Sequence, residues 1–406
     1  MAIIVQKFGG TSVGSPERIK AVAAQVIATR QQGHQVVVVL SAMSGETNRL
    51  MDLARSIDPV ASGRELDMLL ASGEQVSISL LAMSLIKQGF SAVSFLGHQI
   101  GIRTNNRFNN ARIIDVDNKR LAAELEQGHI VIIAGFQGVD YENNITTLGR
   151  GGSDTSAVAI AAALQAKECQ IFTDVDGVYT TDPRIDPTAR RIPAITFEEM
   201  LEMASSGAKV LQTRSVQYAG KFKVPLRVLS SFMPGEGTMI DFQQEAASTN
   251  PVSAVTAQKE EAMFSLSSQT DLVALNARVF SELAELDIEV DMIVQSCTTP
   301  GLMNLNFTVP RNDFYKAEQC LVALQDELGL LDIEGNQQLA KVSVIGNGIR
   351  CHTGITAAIF ATLAAAKIRV FLVSTSEIKI SVLVLESDLN HAVQTLHKKF
   401  LIKLEN

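Results

Sequence analysis

Only four cysteines occur in this chain, Cys169, Cys297, Cys320 and Cys351, and no two form a Cys-x-x-Cys pair. Their scatter argues against a zinc site or a disulfide framework, and they read as small buried or half-buried hydrophobes. Positive charge is also short: 35 Lys and Arg face 43 Asp and Glu, a net charge of −8, with no sustained basic block. That balance offers no general attraction to nucleic acid or to an acidic membrane face. No apolar run reaches membrane-spanning length, and Met1-Ala2-Ile3-Ile4-Val5-Gln6-Lys7 becomes charged too soon for a signal peptide. The expectation is a cytoplasmic protein with neither nucleic acid nor membrane as partner.

What is present is globular: 46% of residues are hydrophobic and 19% charged. At 406 residues the chain is too long for one ordinary core, so two or three domains are expected. Apolar runs at Ile3–Phe8, Val36–Leu40, Ala92–Leu96, Ile130–Ala134, Gln170–Thr173 and Leu226–Ser230 read as strands. Helical stretches separate them: one from Ser15-Pro16-Glu17 to about Gln32, then about Glu65 to Lys87, Val116 to Gln127, Ala157 to Ala166 and Glu198 to Gly220. This alternation predicts an α/β fold with a mostly parallel sheet sandwiched by helices.

Leu148-Gly149-Arg150-Gly151-Gly152-Ser153-Asp154-Thr155-Ser156 joins an apolar strand to an alanine-rich helix. Two adjacent glycines permit close backbone approach, Ser153, Asp154 and Thr155 are good helix caps, and Arg150 adds a planar cation. A helix start of this kind favours an anion, carboxylate or phosphate. Lys7-Phe8-Gly9-Gly10-Thr11-Ser12 is a second strand–glycine turn–helix unit, with the spacing of neither a Walker P-loop nor a dinucleotide fingerprint. Val36–Leu40 runs into Ser41 and a polar turn through Ser44-Gly45-Glu46-Thr47-Asn48, again small polar residues at a strand's carboxyl end, where ligands of open α/β sheets bind. Ser72-Gly73-Glu74 interrupts an apolar helix, either as a solvated kink or as a carboxylate facing a site. Asp174 to Arg184 is a turn-rich loop with hydroxyls, acids and Tyr179.

Residues Gln243 to Pro251 read as a linker, placing a boundary near 245. Beyond it, Ala277, Phe280, Leu283, Ala284, Ile288, Val290 and Ser296 recur identically 80 residues later. Each copy has the order strand, helix, strand, strand, helix, that of a ferredoxin-like unit. The copies carry no catalytic constellation, so small-ligand binding or subunit contact is the better reading.

With these motifs placed, the chain resembles the bacterial monofunctional aspartate kinases: an amino-acid-kinase domain followed by two ferredoxin-like ACT domains. The likeness runs through Lys7 to Val13, Ser72-Gly73-Glu74, Arg103 to Phe108, Thr147 to Asp154, Thr173-Asp174 with Tyr179 to Arg184, Gly207 to Leu211, and Ser374 to Ile378. It implies a catalytic domain over 1–245 and ACT domains over 260–336 and 340–406. It also implies phosphorylation of the L-aspartate side-chain carboxylate by ATP, with Mg²⁺ arriving on the nucleotide, as the first step of lysine, threonine and methionine biosynthesis.

By the same resemblance, Lys7 and Asp154 are catalytic, and Thr47, Glu74, Arg150, Gly151, Gly152 and Ser153 hold the amino acid. The nucleotide falls to Lys7, Phe8, Gly9, Gly10, Ser41, Thr173, Asp174, Tyr179, Asp182, Arg184, Lys209 and Val210, with Gly9 and Gly10 donating backbone N–H groups. Lysine, threonine or both are implied as inhibitors, contacting Asp271, Asp291, Met292, Ile293 and Gln295 in the first module and Ser374, Thr375, Ile380 and Ser381 in the second. The ACT domains are expected to join a homo-oligomer, a dimer or higher. The chain departs from the family where a Pro-Gly turn is replaced by Leu272-Val273-Ala274. Two rival readings are a kinase for glutamate or a related acid, disfavoured by the paired C-terminal modules, and a non-catalytic amino-acid sensor. The joint presence of Lys7, Arg150 and Asp154 speaks against the sensor.

Overall fold

The computed structural model describes residues 1–208, 210–242, 250–269, 272–299, 302–349 and 352–402. They divide into two compact units, one of Met1–Val178, Arg191–Ala204 and Lys209–Ala247, the other of Tyr179–Arg190, Ser205–Ala208 and Ser248–Asn406.

In the first unit an eight-stranded sheet has the order Ala194–Thr196, Thr238–Asp241, Leu226–Ser230, Glu168–Thr173, Ile3–Phe8, Gln35–Leu40, Ile130–Ala134, Ala92–Phe95. Its six-strand body is parallel, and Thr238–Asp241 runs antiparallel to its neighbour. The run Val36 to Leu40 is fully buried, as a strand covered on both faces requires. Register aligns Phe8 with both Leu40 and Phe172, and Leu40 with Ala134. The chain therefore leaves four adjacent strands at one level, at Gly9, Ser41, Gly135 and Asp174.

The helices follow from local chemistry. Pro16–Gln31 starts with Pro at its first position and with Ser15 accepting from the Arg18 N–H at 3.3 Å. Gly152–Ala163 begins five residues earlier than its alanine run suggested, so Gly152, Ser153 and Asp154 form its first turn. A helix, Glu46–Ile57, replaces most of the polar turn expected around Ser44 to Asn48. The stretch Glu198 to Gly220 is two helices, Phe197–Ser205 and Thr213–Phe222, and Val116 to Gln127 shortens to Lys119–Glu126. A small sheet of Ile102–Thr104, Ile113–Val116, Gln137–Val139 and Ile145–Thr147 was not foreseen. Arg64–Leu70 and Ser72–Lys87 together make 24 residues apolar enough to span a membrane by length and composition, contrary to the expectation of no such run. Half of that apolar window is buried in protein, with Ile78, Leu81 and Leu85 in the main core, as in the core helix of a globular domain.

The second unit holds a six-stranded sheet ordered Ile293–Thr299, Leu302–Pro310, Ala254–Ser268, Leu330–Ile345, Lys379–Leu385, Leu372–Thr375. Two of its strands serve both modules. Residues 254–258 pair with 341–345, whereas 261–268 pair with 303–310 and 330–339. The second module thus takes its fourth strand from residues before the expected start of the first. The switch falls at a bulge between Gln258 and Glu261, where Glu260 is left-handed at φ 65°. The 80-residue repeat extends to the backbone: Asp287 and Lys367 both take φ 56° after their helices. Each module has its own core, and Met292, Leu339, Leu372 and Leu383 make a third cluster where strands of both modules meet.

The loop Tyr179–Arg190 belongs to this unit. His397, 1% exposed on the last helix Leu389–Leu401, contacts Asp186 Oδ2 through Nδ1 and Thr180 Oγ1 through Nε2, both at 2.8 Å. With Nδ1–H donating to the carboxylate, Nε2 accepts from the threonine hydroxyl. Gln394 Nε2 donates to Ile185 O at 2.7 Å. Burial alone would raise the Asp186 carboxyl, but bonds from Thr188 and His397 outweigh it and hold the group below its usual value. Substituting His397→Ala strips both partners at once and should cost about 1–3 kcal/mol of stability by chemical denaturation. An unchanged denaturation midpoint would show that the loop is held by other contacts.

Candidate functional site

The carboxyl ends of Ile3–Phe8 and Gln35–Leu40 open into a cleft of about 350 Å³ lined by Gly10, Thr11, Ser41, Ala42, Ser44, Thr47 and neighbours. Lys7, the last but one residue of its strand, is 9% exposed, and its Nζ lies 2.6 Å from Asp154 Oδ1 on the first turn of Gly152–Ala163. The glycine loop and the lysine strand, 147 positions apart, therefore meet in one buried ion pair. Ser153 and Asp154 are each 8% exposed, Arg150 is exposed, and Gly151 is left-handed at φ 69°. Among the described residues Arg150 makes no ion pair.

Glu74 decides between the two readings left open for it. It is 2% exposed, so it is no solvated kink. A Cβ on Gly73 would come 2.9 Å from Ala42 Cβ, so glycine is what lets this helix approach the strand end closely enough for the Ala42 N–H to reach Glu74 Oε1 at 3.0 Å. Oε2 is buried without a partner. Burial pushes the carboxyl up to about 8, with the Ala42 N–H pulling the other way. A buried carboxyl with one orphaned oxygen is a receptor for a cation, which would restore its charge.

Some expected contacts take a different form. The Phe8 side chain is fully buried and stacked on Phe172 with ring centroids 4.5 Å apart, so only its backbone faces the cleft. Gly9 N–H is directed to Phe172 O at 3.3 Å, which removes it as an anion donor. Gly10 lines the cleft, and Ser41 and Thr47 lie on its wall. Thr173 donates to Asp174 Oδ1 at 3.1 Å beyond the neighbouring strand end. Val210 is half-buried, and Lys209 lies outside the described residues. Tyr179, Asp182 and Arg184 fall in the second unit, where Arg184 pairs with Asp182 at 2.7 Å and Tyr179 is half-buried.

Of the residues expected to meet an effector, Asp271 lies outside the described residues. Asp291 binds the Lys341 ammonium, itself 3% exposed and 3.9 Å from Glu261. Ile293 is exposed, and Gln295 accepts from Asn276 at 2.7 Å. Ser374 pairs in register with Ser381, and Thr375 with Ile380. Met292, Ile380 and Ser381 are buried, the last hydrogen-bonded to Ser343 at 2.7 Å, so their side chains are core and cannot line a site as they stand.

A sequence model of the amino acid kinase family matches residues 2–230, and one of the ACT domain matches residues 342–400. The aspartate kinase of Pseudomonas putida is 51% identical over 401 residues, 98% of each chain. The chain belongs to the aspartate kinases. Among solved structures, Escherichia coli aspartokinase III in complex with aspartate and ADP, an R-state, superposes with a TM-score of 0.83 at 29% identity, covering 98% of this chain and 100% of that one. The same enzyme with lysine and aspartate, a T-state, gives 0.77 at 29% identity and the same coverage. A kinase half followed by an ACT domain fits allosteric regulation.

Residues that sequence reasoning missed include Ala42, whose amide holds Glu74, and Asp67, a fully buried acid on the helix before it. The signal for Asp67 was an acid on the apolar face of Arg64–Leu70.

The raised Glu74 carboxyl makes stability depend on pH. The folded state keeps a proton that the unfolded chain releases above about pH 4.5, so stability declines as pH rises toward 8, by up to roughly 1.4 kcal/mol per unit. Glu74→Gln should remove that decline, making the variant the more stable protein at pH 8 relative to pH 5. Parallel stability–pH curves for the two proteins would contradict the assignment.

Proposed function

We propose that the chain transfers the γ-phosphoryl group of ATP to the side-chain carboxylate of L-aspartate, giving 4-phospho-L-aspartate and ADP. One carboxylate oxygen attacks the γ-phosphorus, the P–O bond to the β-phosphate breaks, and the electron pair leaves on ADP. A carboxylate nucleophile needs no general base, so catalysis is alignment of two anions and neutralisation of their charge. The observation that carries this reading is the buried Lys7–Asp154 pair at the carboxyl end of one strand together with the half-satisfied Glu74 carboxyl bonded just past the end of the adjacent strand. Glu74 takes the substrate ammonium and Arg150 takes a substrate carboxylate, with Thr47, Gly151, Gly152 and Ser153 shaping the space between them. Lys7 binds the transferring phosphoryl group, held in place by Asp154.

Gly10, Ser41, Thr173, Asp174, Lys209 and Val210 serve the nucleotide. A magnesium ion would be brought by the phosphates, since it keeps most of its waters and needs few protein ligands. It would supply neutralisation of phosphate charge there. The second unit binds lysine, alone or with threonine, and joins at least two chains. The setting is cytoplasmic, at the entry to lysine, threonine and methionine synthesis. The aspartate, ADP and lysine named for the E. coli relative support this assignment.

Hydroxylamine converts an acyl phosphate to a hydroxamate, so one assay tests substrate and regulation together. With MgATP and a panel of acidic amino acids, hydroxamate should form with aspartate and not with glutamate, and lysine or lysine plus threonine should suppress it. Equal product from glutamate would overturn the substrate, and a full rate with both effectors in excess would overturn the regulatory half.

A further inference from the structure

Asp67 is fully buried on helix Arg64–Leu70, and no cation neutralises it among the described residues. Its charge is held by hydrogen bonds from two distant stretches. Oδ1 accepts from Asn109 Nδ2 at 2.6 Å and from Thr147 Oγ1 at 2.5 Å. Oδ2 accepts from Thr147 N–H at 2.8 Å and from Asn109 N–H at 3.0 Å. Four donors converging on one buried carboxylate make a network with no slack, because each group left unpaired would cost the full desolvation of a polar atom.

Thr147 ends strand Ile145–Thr147 three positions before Arg150. Asn109 is held in the left-handed region, φ 65°, with its side-chain oxygen accepting from Gly63 N–H at 2.7 Å. From the other side Arg214 donates to Leu148 O at 2.8 Å and to Asn110 Oδ1 at 2.7 Å. The two turns lie so close that a Cβ on Gly149 would sit 3.1 Å from Asn109 O. The backbone immediately before Arg150 is thus fastened on both flanks, while the guanidinium itself is exposed.

We infer that Asp67 is a positioning residue for Arg150: it fixes the turn that aims the guanidinium and so sets the affinity for the amino acid's carboxylate without touching either substrate. This rests on the reading of Arg150 as the carboxylate clamp. Asp67→Asn is the informative change, since in either orientation its amide would turn an N–H₂ toward one donor of each stretch, costing each tether one hydrogen bond while the remaining oxygen keeps the other. The aspartate KM should rise about tenfold while the ATP KM stays within about twofold, because the lysine strand and its glycine turn are not part of the network. In an Arg150→Ala background Asp67→Asn should add nothing to the aspartate KM, a non-additivity that general destabilisation does not produce.

Thr147→Val removes only the hydroxyl donor and keeps the shape, so it serves if Asp67→Asn fails to fold, with a smaller rise in the same KM. A rise in both KM values alike, or an effect that adds in full to Arg150→Ala, would overturn the inference. So would an unchanged aspartate KM in Asp67→Asn beside a weakened Arg150→Ala. An unchanged aspartate KM in Arg150→Ala itself would instead remove the reading beneath it.

Discussion

The Lys7–Asp154 ion pair is the constraint on which the catalytic half depends. An ammonium this deeply placed is expensive unless paired, and its partner must be delivered by a helix start that only the glycine loop can bring so close. Everything near it follows from that requirement. The parallel sheet ends four strands at one level, the alanine-rich helix packs its small side chains against them, and the loop places Asp154 inward and Arg150 outward. The result is a buried, paired cation at the end of one strand, an exposed cation on the glycine loop, and a buried carboxyl bonded at the end of the next strand. That distribution suits a reaction joining two anions, one of which carries an ammonium.

The charge logic at Glu74 is the converse of that at Lys7. Lys7 is paired within the protein, whereas Glu74 is left with one oxygen unanswered. A ligand ammonium would complete it, and under the proposed function the amino acid would be recognised by satisfying that oxygen. The positioning of Arg150 through Asp67 belongs to the same scheme, because a clamp on an exposed turn discriminates only if the turn is rigid.

Much of this was legible in the sequence, and the reasons for the rest are physical. Fully buried strands declare themselves by continuous Val and Ile, and glycine turns at their carboxyl ends mark the ligand edge, so the sheet body and the Lys7 and Arg150 loops were readable. Strands of three residues such as Gln137–Val139 have no period to detect. Residues 254–258 could not be assigned to the second module because their partner strand lies some 90 residues on, past an entire inserted module. Glu74 could be read as kink or ligand until its burial was known. Nor could sequence show that the Gly9 amide is already engaged by Phe172, or that Met292, Ile380 and Ser381 are core. A motif names a position, while its contacts decide which atom is free.

Under the proposed function, Lys7 neutralises charge in the transition state and Asp154 only holds it there. Turnover of purified Lys7→Ala, checked for native circular dichroism because the change leaves Asp154 buried and unpaired, tests this most directly. A fall of at least about 10²- to 10³-fold is expected, the order seen when a single transition-state donor is lost. Wild-type turnover in a natively folded Lys7→Ala protein would contradict it.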